Sequence, residues 1–362
     1  MYRVLYFTSD REWTPPDLGS IKVTVVHKPF QVQTELCRRE WDAIFSVEGA
    51  DITRLSALPY HLKRRWRHLH GKPLTADALK RAIQEIYWAY TKIGSDALPL
   101  VSVYTPTKNS IAFIDETYAN LVAQTHTNWE WVIVDDGSTD GTPARLEAFR
   151  DPRIRLFRVP EVGRIGYLKG AACGLARGDI LAELDHDDIL EPDCLSQVVG
   201  AFAAHPDAGM VYTNCAEWYD GTDRFNVYDA SFWKYRDTPW RGMMAKEALQ
   251  HDAMGTFDDG YNPKKPVIEA MNVCPNHMRA FRRSTYTAVG GYRDLVWADD
   301  YDLMIRMFLY SKIVHIDRML YIQRMGTNTW TRNTDILWPC FAEVRSNYTA
   351  ALAARYKDLG IG

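Results

Sequence analysis

The sequence has no C-x-x-C pair and no regular cysteine spacing; its six cysteines, Cys37, Cys173, Cys194, Cys215, Cys274 and Cys340, stand apart. That argues against a zinc site and a disulfide scaffold and matches reduced thiols in a cytosol. No apolar stretch approaches the roughly 20 residues needed to span a bilayer. The opening MYRVLYFTSDREW lacks the long apolar run of a signal peptide. A cytoplasmic protein without a transmembrane segment is therefore expected. No charge of one sign dominates: 43 basic against 46 acidic residues leave a formal net charge of -3, so no global basic field calls for nucleic acid. Internal repeats and low-complexity segments are missing too. What is present is an ordinary globular balance, 46% hydrophobic and 25% charged, over 362 residues. That length suits one large domain with a smaller one. Trp (12) and Tyr (20) are plentiful, a composition that lines sugar or base sites in some proteins and packs cores in most.

The chain changes character near Leu98. Before it, Val4–Phe7, Ile21–Val26 and Ala43–Val47 predict short strands, with a helix at Thr34–Arg39 and another opening at Thr75 and running to Tyr90. Between them Leu55–Leu69 is basic, with Lys63, Arg64, Arg65, Arg67 and His68 around Trp66. It reads either as a patch for phosphate or nucleic acid or as a solvated helix face with Trp66 turned inward, and the helix face is preferred. Gly94-Ser95-Asp96 punctuates a linker. After it, strands at Leu100–Tyr104, Trp131–Val134, Ile154–Val159 and Ile180–Leu184 alternate with helices at Phe113–Ala123, Pro143–Phe149 and Tyr167–Ala176. That alternation predicts an α/β fold, a mostly parallel sheet with helices on both faces. Further on come a helix at Cys194–Ala204, a strand at Met210–Thr213, an irregular region Glu217–Lys265, a helix at Leu303–Leu309 opened by Asp299-Asp300-Tyr301-Asp302, strands at Ile313–Ile316 and Leu320–Gln323, and one closing helix at Phe341–Tyr356.

Parallel α/β sheets bind ligands beyond the carboxyl ends of their strands. The polar residues there are Thr105, Thr107 and Asn109, then Asp135 and Asp136, then Asp185, Asp187 and Asp188. The last three end an apolar strand within four positions. Like charges this close raise one another's pKa unless a cation sits among them, and oxygen ligands suit Mg²⁺ or Mn²⁺. Taken singly, Asp135-Asp136-Gly137 is a turn and Asp299-Asp300 is an ordinary helix start favoured by the dipole.

In order and spacing, PLVSVYTPTKN, VIVDDGSTDGT, LAELDHDDILEPDCL, NHMRAFRRSTYTAVGGYRD, ADDYDLMIRM and IDRMLYIQR together resemble glycosyltransferase family 2, with its GT-A fold. The resemblance spans about Leu98 to Arg324 and leaves residues 1–97 as an accessory α/β domain, 98–330 as the transferase domain and 331–362 as a helical extension. It implies transfer of a sugar from a nucleotide-diphosphate donor, with inversion, to a glycan, lipid-linked or other hydroxyl acceptor, with Mn²⁺ or Mg²⁺ bound, and it leaves a homo-oligomer open. It implies roles as well. Thr105, Thr107 and Asn109 with Asp135 or Asp136 would form the nucleoside pocket. Lys169, Asp185 and His186 would touch the donor, and Asp185 and Asp187 would hold the metal with support from Asp188. Asp300 would be the catalytic base. His277, Arg282, Arg283, Asp299 and Arg324 would lie on the acceptor or diphosphate side. Two positions depart from the family. Met325 and Gly326 follow Arg324 where a metal-ligating His is common, with His277 or His315 as substitutes, and Lys169-Gly170 stands where Arg-Asn is usual. Two other functions stay open: a transferase acting on a nucleic-acid base, resting on the basic stretch around Trp66, and a catalytically silent sugar-nucleotide-binding protein.

Overall fold

The structure, a computed structural model, describes residues 2–12, 14–18, 21–28, 31, 35, 41, 43–47, 66–69, 75, 79, 98–227, 235–249, 277–295, 297–326 and 334–358. The chain divides into two compact units, Met1–Leu98 with Arg155–Phe157 and Gly174–Arg177, and the remainder.

The first unit carries a parallel sheet in the order β2-β1-β3-β4, built from β1 (Tyr2–Phe7), β2 (Ile21–Val26), β3 (Ala43–Val47) and β4 (Trp66–Leu69). Val4, Leu5, Tyr6, Ile44 and Phe45 are buried, so the apolar runs of β1 and β3 lie in the core, whereas β2 buries only Val26. β4 is a correction: Trp66–Leu69, read as part of a helix face, pairs with β3 from Ile44↔Trp66 to Val47↔Leu69. Strand pairing at a sheet edge overrides a local helical pattern in so short a segment. Lys63, Arg64, Arg65, the linker at Gly94-Ser95-Asp96 and nearly all of the helix expected at Thr34–Arg39 lie outside the described residues. So does most of Thr75–Tyr90, although the Leu79 amide donates to the Thr75 carbonyl at 2.9 Å, a helical i→i−4 bond.

The second unit carries a ten-stranded sheet, all of it except the three residues Arg155–Phe157. Its strands are β5 (Val101–Thr107), β6 (Trp129–Asp136), β7 (Ile154–Val159), β8 (Ile180–Glu183), β9 (Ile189–Leu190), β10 (Ala208–Tyr219), β11 (Tyr235–Trp240), β12 (Met243–Ala248), β13 (Arg279–Arg282) and β14 (Lys312–Met325). The main path runs β11-β12-β10-β13-β8-β5-β6-β7, and β14 pairs with β10 and β9. The helices are α1 (Ile114–Val122), α2 (Thr142–Ala148), α3 (Ile165–Leu175), α4 (Cys194–Ala204), α5 (Arg283–Ala288), α6 (Asp299–Tyr310), α7 (Thr334–Ser346) and α8 (Thr349–Asp358). Every residue of β5, β6 and β8 is buried, as expected of central strands covered on both faces.

β5 lies parallel to both β6 and β8, so their carboxyl ends share one edge. β13 is antiparallel to β8, with Ala280 opposite Ala182 and Arg282 opposite Ile180. Its entry residues therefore reach that same edge and its exit residues lie at the other. Three expectations need correction. Part of Glu217–Lys265 is a hairpin, β11 and β12. The two late strands are one, β14, which follows β10 through register shifts near Thr213 and Asn214. The closing helix is two, α7 and α8; the Tyr348 hydroxyl at the break donates to Asp302 at 2.7 Å, and Phe341 and Tyr356 pack on Tyr301 and Phe308 of α6. Among the described residues no helix is long and apolar enough to cross a membrane.

Candidate active site

The loops after β5 and β6 are tied together by short polar side chains. Asn109, in a left-handed conformation, accepts the Thr139 amide at 2.9 Å while its own amide donates to the Ser138 hydroxyl at 2.8 Å. Thr107 shares a 2.6 Å bond with Ser110, whose amide donates to Thr142. Thr105 lies deeper: its hydroxyl donates to the Leu184 carbonyl at 2.6 Å and receives the Trp131 indole N–H at 2.8 Å. It therefore braces β5 against the end of β8. The two acids after β6 differ. Asp136 accepts the amides of Val162 at 2.6 Å and Gly163 at 3.0 Å, which closes the loop after β7. Asp135 is fully buried, with one oxygen near Ser138 and Arg158 and the other, Oδ1, without a hydrogen-bond partner. A buried acceptor with capacity to spare suits an N–H of a bound base.

Asp185, His186, Asp187 and Asp188 leave β8 in a tight turn pinned by three residues of two elements, α1 and β14. Thr117 of α1 donates to the His186 carbonyl at 2.8 Å, Arg324 Nε to the Asp187 carbonyl at 2.7 Å, and the Tyr321 hydroxyl and Arg324 amide to the Asp188 carboxylate at 2.6 and 2.7 Å. Burial, then the charges of Asp187 and Asp185, push the Asp188 carboxyl well above the usual carboxylate range. Asp185, Asp188 and His277 each bring a ligand atom to within 4.8 Å of the others. His277 stacks on Tyr321 at 4.6 Å, and burial followed by the Arg279 charge lowers its pKa to about 4. A neutral imidazole beside two crowded carboxylates is a donor set that fits a divalent cation such as Mn²⁺ or Mg²⁺. His277 thus joins the acids, whereas His315 bonds Asn214 and stacks on Tyr212. Asp187 and His186 stand about a third exposed at the rim, 3.9 Å apart.

Arg324 is packed into this rim. Its guanidinium bonds Glu116 at 2.5 Å, pairs with Asp220, and lies between the rings of Phe113 and Trp218 at 5.2 and 5.3 Å. Asp299 is buried with Oδ2 lacking a hydrogen-bond partner; burial chiefly, opposed by Lys169, raises its pKa to about 7. Asp300 accepts the Tyr301 amide at 2.7 Å and an Arg279 N–H at 2.6 Å. Its side chain is 32% exposed. Arg279 also grips Glu183, and so does Lys169, so Lys169 is turned to a buried acid.

Arg282 and Arg283 stand elsewhere. Arg282 donates to the carbonyls of Ala208 and Phe202, and Arg283 to that of Gly178. Both lie at the opposite end of β8 from Asp185, because β13 runs antiparallel. The site residue of that strand is Arg279, which sequence reading passed over together with Glu183 and Tyr321. One signal was available: Glu183 is a lone charge inside an otherwise apolar strand.

A family model for glycosyl transferase family 2 matches residues 102–286, just over half of the chain. The chain belongs to glycosyltransferase family 2. Among curated relatives of this family 2 chain, the O-antigen biosynthesis protein RfbC of Myxococcus xanthus is 31% identical over 235 residues, 63% of this chain and 16% of the relative. The chondroitin synthase of Escherichia coli is 28% identical over 278 residues, 74% of this chain and 35% of the relative. The family 2 chain thus spans about a third or less of the length of these relatives. Among solved structures, S. aureus TarS 1-349 in complex with UDP-GlcNAc has a TM-score of 0.52 and 19% identity, covering 69% of this chain and 66% of that one. The likeness is one of fold, and the α/β GT-A architecture expected from the sequence is the one found.

Proposed function

We propose that the family 2 chain transfers a sugar from a nucleoside diphosphate sugar to a hydroxyl of a glycan acceptor, with inversion. The observation that carries this is the meeting of two acid groups from separate segments. Arg279 holds Asp300 of α6 with one N–H and Glu183 with two others, and Glu183 sits two residues before Asp185 on β8. Inversion needs one in-line displacement, with a proton acceptor on one side of the sugar and charge stabilisation for the departing diphosphate on the other.

Asp135 would take an N–H of the base, with the Asn109 loop closing that pocket. Asp185, Asp188 and His277, with Asp187 at the rim, would hold Mn²⁺ or Mg²⁺. When bound, such an ion supplies positive charge to the leaving diphosphate. Asp300, kept anionic by Arg279, would receive the acceptor's proton. The acid cluster's place at the carboxyl edge of the sheet, and relatives named for chondroitin and O-antigen synthesis, support a polysaccharide acceptor.

The test is a thermal-shift panel of UDP-, GDP- and dTDP-sugars with Mn²⁺. A donor present at a hundred times its Kd stabilises by roughly 2.7 kcal/mol, a shift of several degrees. Asp187→Ala should then abolish the Mn²⁺-dependent shift. Asp300→Asn should bind the donor normally and lose at least a hundredfold in turnover. Full turnover by Asp300→Asn would reject the base assignment, and a panel without any responding donor would reject the reading as a whole.

A further inference from the structure

Four side chains of alternating charge run in a line beneath the site: Lys169 of α3, Glu183 of β8, Arg279 of β13 and Asp300 of α6. Lys169 Nζ donates to Glu183 Oε1 at 2.6 Å. Arg279 Nε and Nη2 grip Glu183 Oε2 and Oε1 at 2.5 and 3.0 Å. Arg279 Nη1 reaches Asp300 Oδ2 at 2.6 Å. The first three side chains are 8%, 0% and 4% exposed and Asp300 is 32% exposed, so the line begins in the core and ends at the open carboxylate.

We propose that Glu183 and Arg279 are positioning residues for Asp300. This rests on the reading of Asp300 as the proton acceptor. A guanidinium is a rigid fork, and a free one takes a carboxylate through two parallel bonds. Here Arg279 spends Nε and Nη2 on Glu183 and meets Asp300 through Nη1 alone. That single bond holds one Asp300 oxygen, and the Tyr301 amide takes the other at 2.7 Å. Asp300 is thereby fixed in orientation while part of its oxygen surface stays free for an acceptor hydroxyl. Lys169 balances Glu183, so that the two buried cations and two anions sum to zero. Buried ion pairs are seldom worth their desolvation as stabilisers when an apolar set could replace them. A line of them that stops at a half-exposed carboxylate is better accounted for by orientation of that group.

The test uses the full chain, the nucleotide sugar selected by the panel above, and its nucleoside diphosphate with Mn²⁺ as binding probe. Glu183→Gln removes the charge that anchors Arg279 Nε and Nη2, so the guanidinium is free to turn and change its contact with Asp300. Arg279→Lys keeps the charge and loses the fork. Both should lower kcat ten- to a hundredfold, with the donor KM and the nucleoside diphosphate Kd within about threefold of wild type. Placed in an Asp300→Asn background, Glu183→Gln should cost less than a further twofold, since its effect passes through Asp300. If Asp300→Asn is inactive while both variants keep wild-type kcat, the positioning role is wrong and the base assignment stands. If Asp300→Asn is itself fully active, the base assignment fails and takes the positioning role with it. If either variant loses nucleoside diphosphate binding along with turnover, or Glu183→Gln still costs tenfold in the Asp300→Asn background, the line serves the fold and the inference is overturned.

Discussion

Adjacent residues of one helical turn, Asp299 and Asp300, carry the same side chain and end in opposite electrostatic states. For Asp300, burial alone would raise the pKa, but Arg279 and then Lys169 outweigh it and hold the carboxyl below its usual value. For Asp299, burial wins over Lys169, the Asp300 charge adds to it, and the pKa rises to about 7. The sign of the stability effect follows. An aspartate ionises near pH 4 in the unfolded chain, whereas Asp299 in the folded chain keeps its proton until about pH 7. Between those values the folded state binds more protons, so this residue makes stability fall as pH rises, with no further change above pH 7. Asp299→Asn cannot titrate and should remove that slope. Urea unfolding of both proteins at pH 4.5, 6 and 7.5 should show the variant gaining on wild type by an amount on the order of a few kcal/mol across the range. A constant difference at all three values would mean that Asp299 is ionised in the fold. Glu183 has the opposite sign. Burial would raise it, yet Arg279 and Lys169 hold it well below the carboxylate range. Its contribution is present above about pH 4 and is lost only as pH falls toward its depressed folded value.

Elements are placed by close approach as much as by pattern, and Gly178, between α3 and β8, shows it. A Cβ there would lie 2.3 Å from the Leu100 carbonyl oxygen and 2.7 Å from the Ser102 amide nitrogen, so β8 could not enter beside β5. Gly178→Ala should destabilise by about 1–3 kcal/mol or more. Gly200→Ala, inside α4 with nothing within 4 Å of the new methyl, should stabilise by about 1 kcal/mol. Urea midpoints of the two variants moving in the same direction would refute the packing account. The same contrast between local pattern and distant partner explains what could be read in advance. β5 to β8 with α1 to α3 were legible because each is a short apolar run or a periodic segment bounded by turn residues. β13 was not, because R-A-F-R has no apolar alternation; it is a strand only because β8 and β10 flank it. β14 read as two strands because Asp317 and Arg318 interrupt its apolar residues, while the backbone stays with β10 across the irregularity. The acids of the site were legible as clusters. The bonds of Lys169 and Arg279 to Glu183 were not, because they join residues 14 and 96 positions apart, and no spacing rule reaches that far.

For the second unit as a whole, buried cysteines lie in three different elements and can report whether these open together. Cys173 lies in α3, Cys194 opens α4 and Cys215 is in β10, and all three are buried, while Cys340 in α7 is partly exposed. Burial pushes the Cys173 thiol up to about 12 and those of Cys194 and Cys215 well above the ordinary range. Alkylation requires the thiolate and access to it, so in the native protein at pH 8 the three should resist iodoacetamide while Cys340 reacts. Their labelling then requires opening of the sheet and its helices. If the core is one cooperative body, peptide mass spectrometry across a urea series should find Cys173, Cys194 and Cys215 becoming reactive over the same narrow concentration range, each tracking loss of tryptophan fluorescence. Earlier labelling of Cys173 would mean that α3 opens separately. Because α3 carries Lys169, that opening would also release Glu183 from one of its two cations, and loss of the Mn²⁺-dependent donor shift at the same urea concentration would show the site failing with the helix rather than with the sheet.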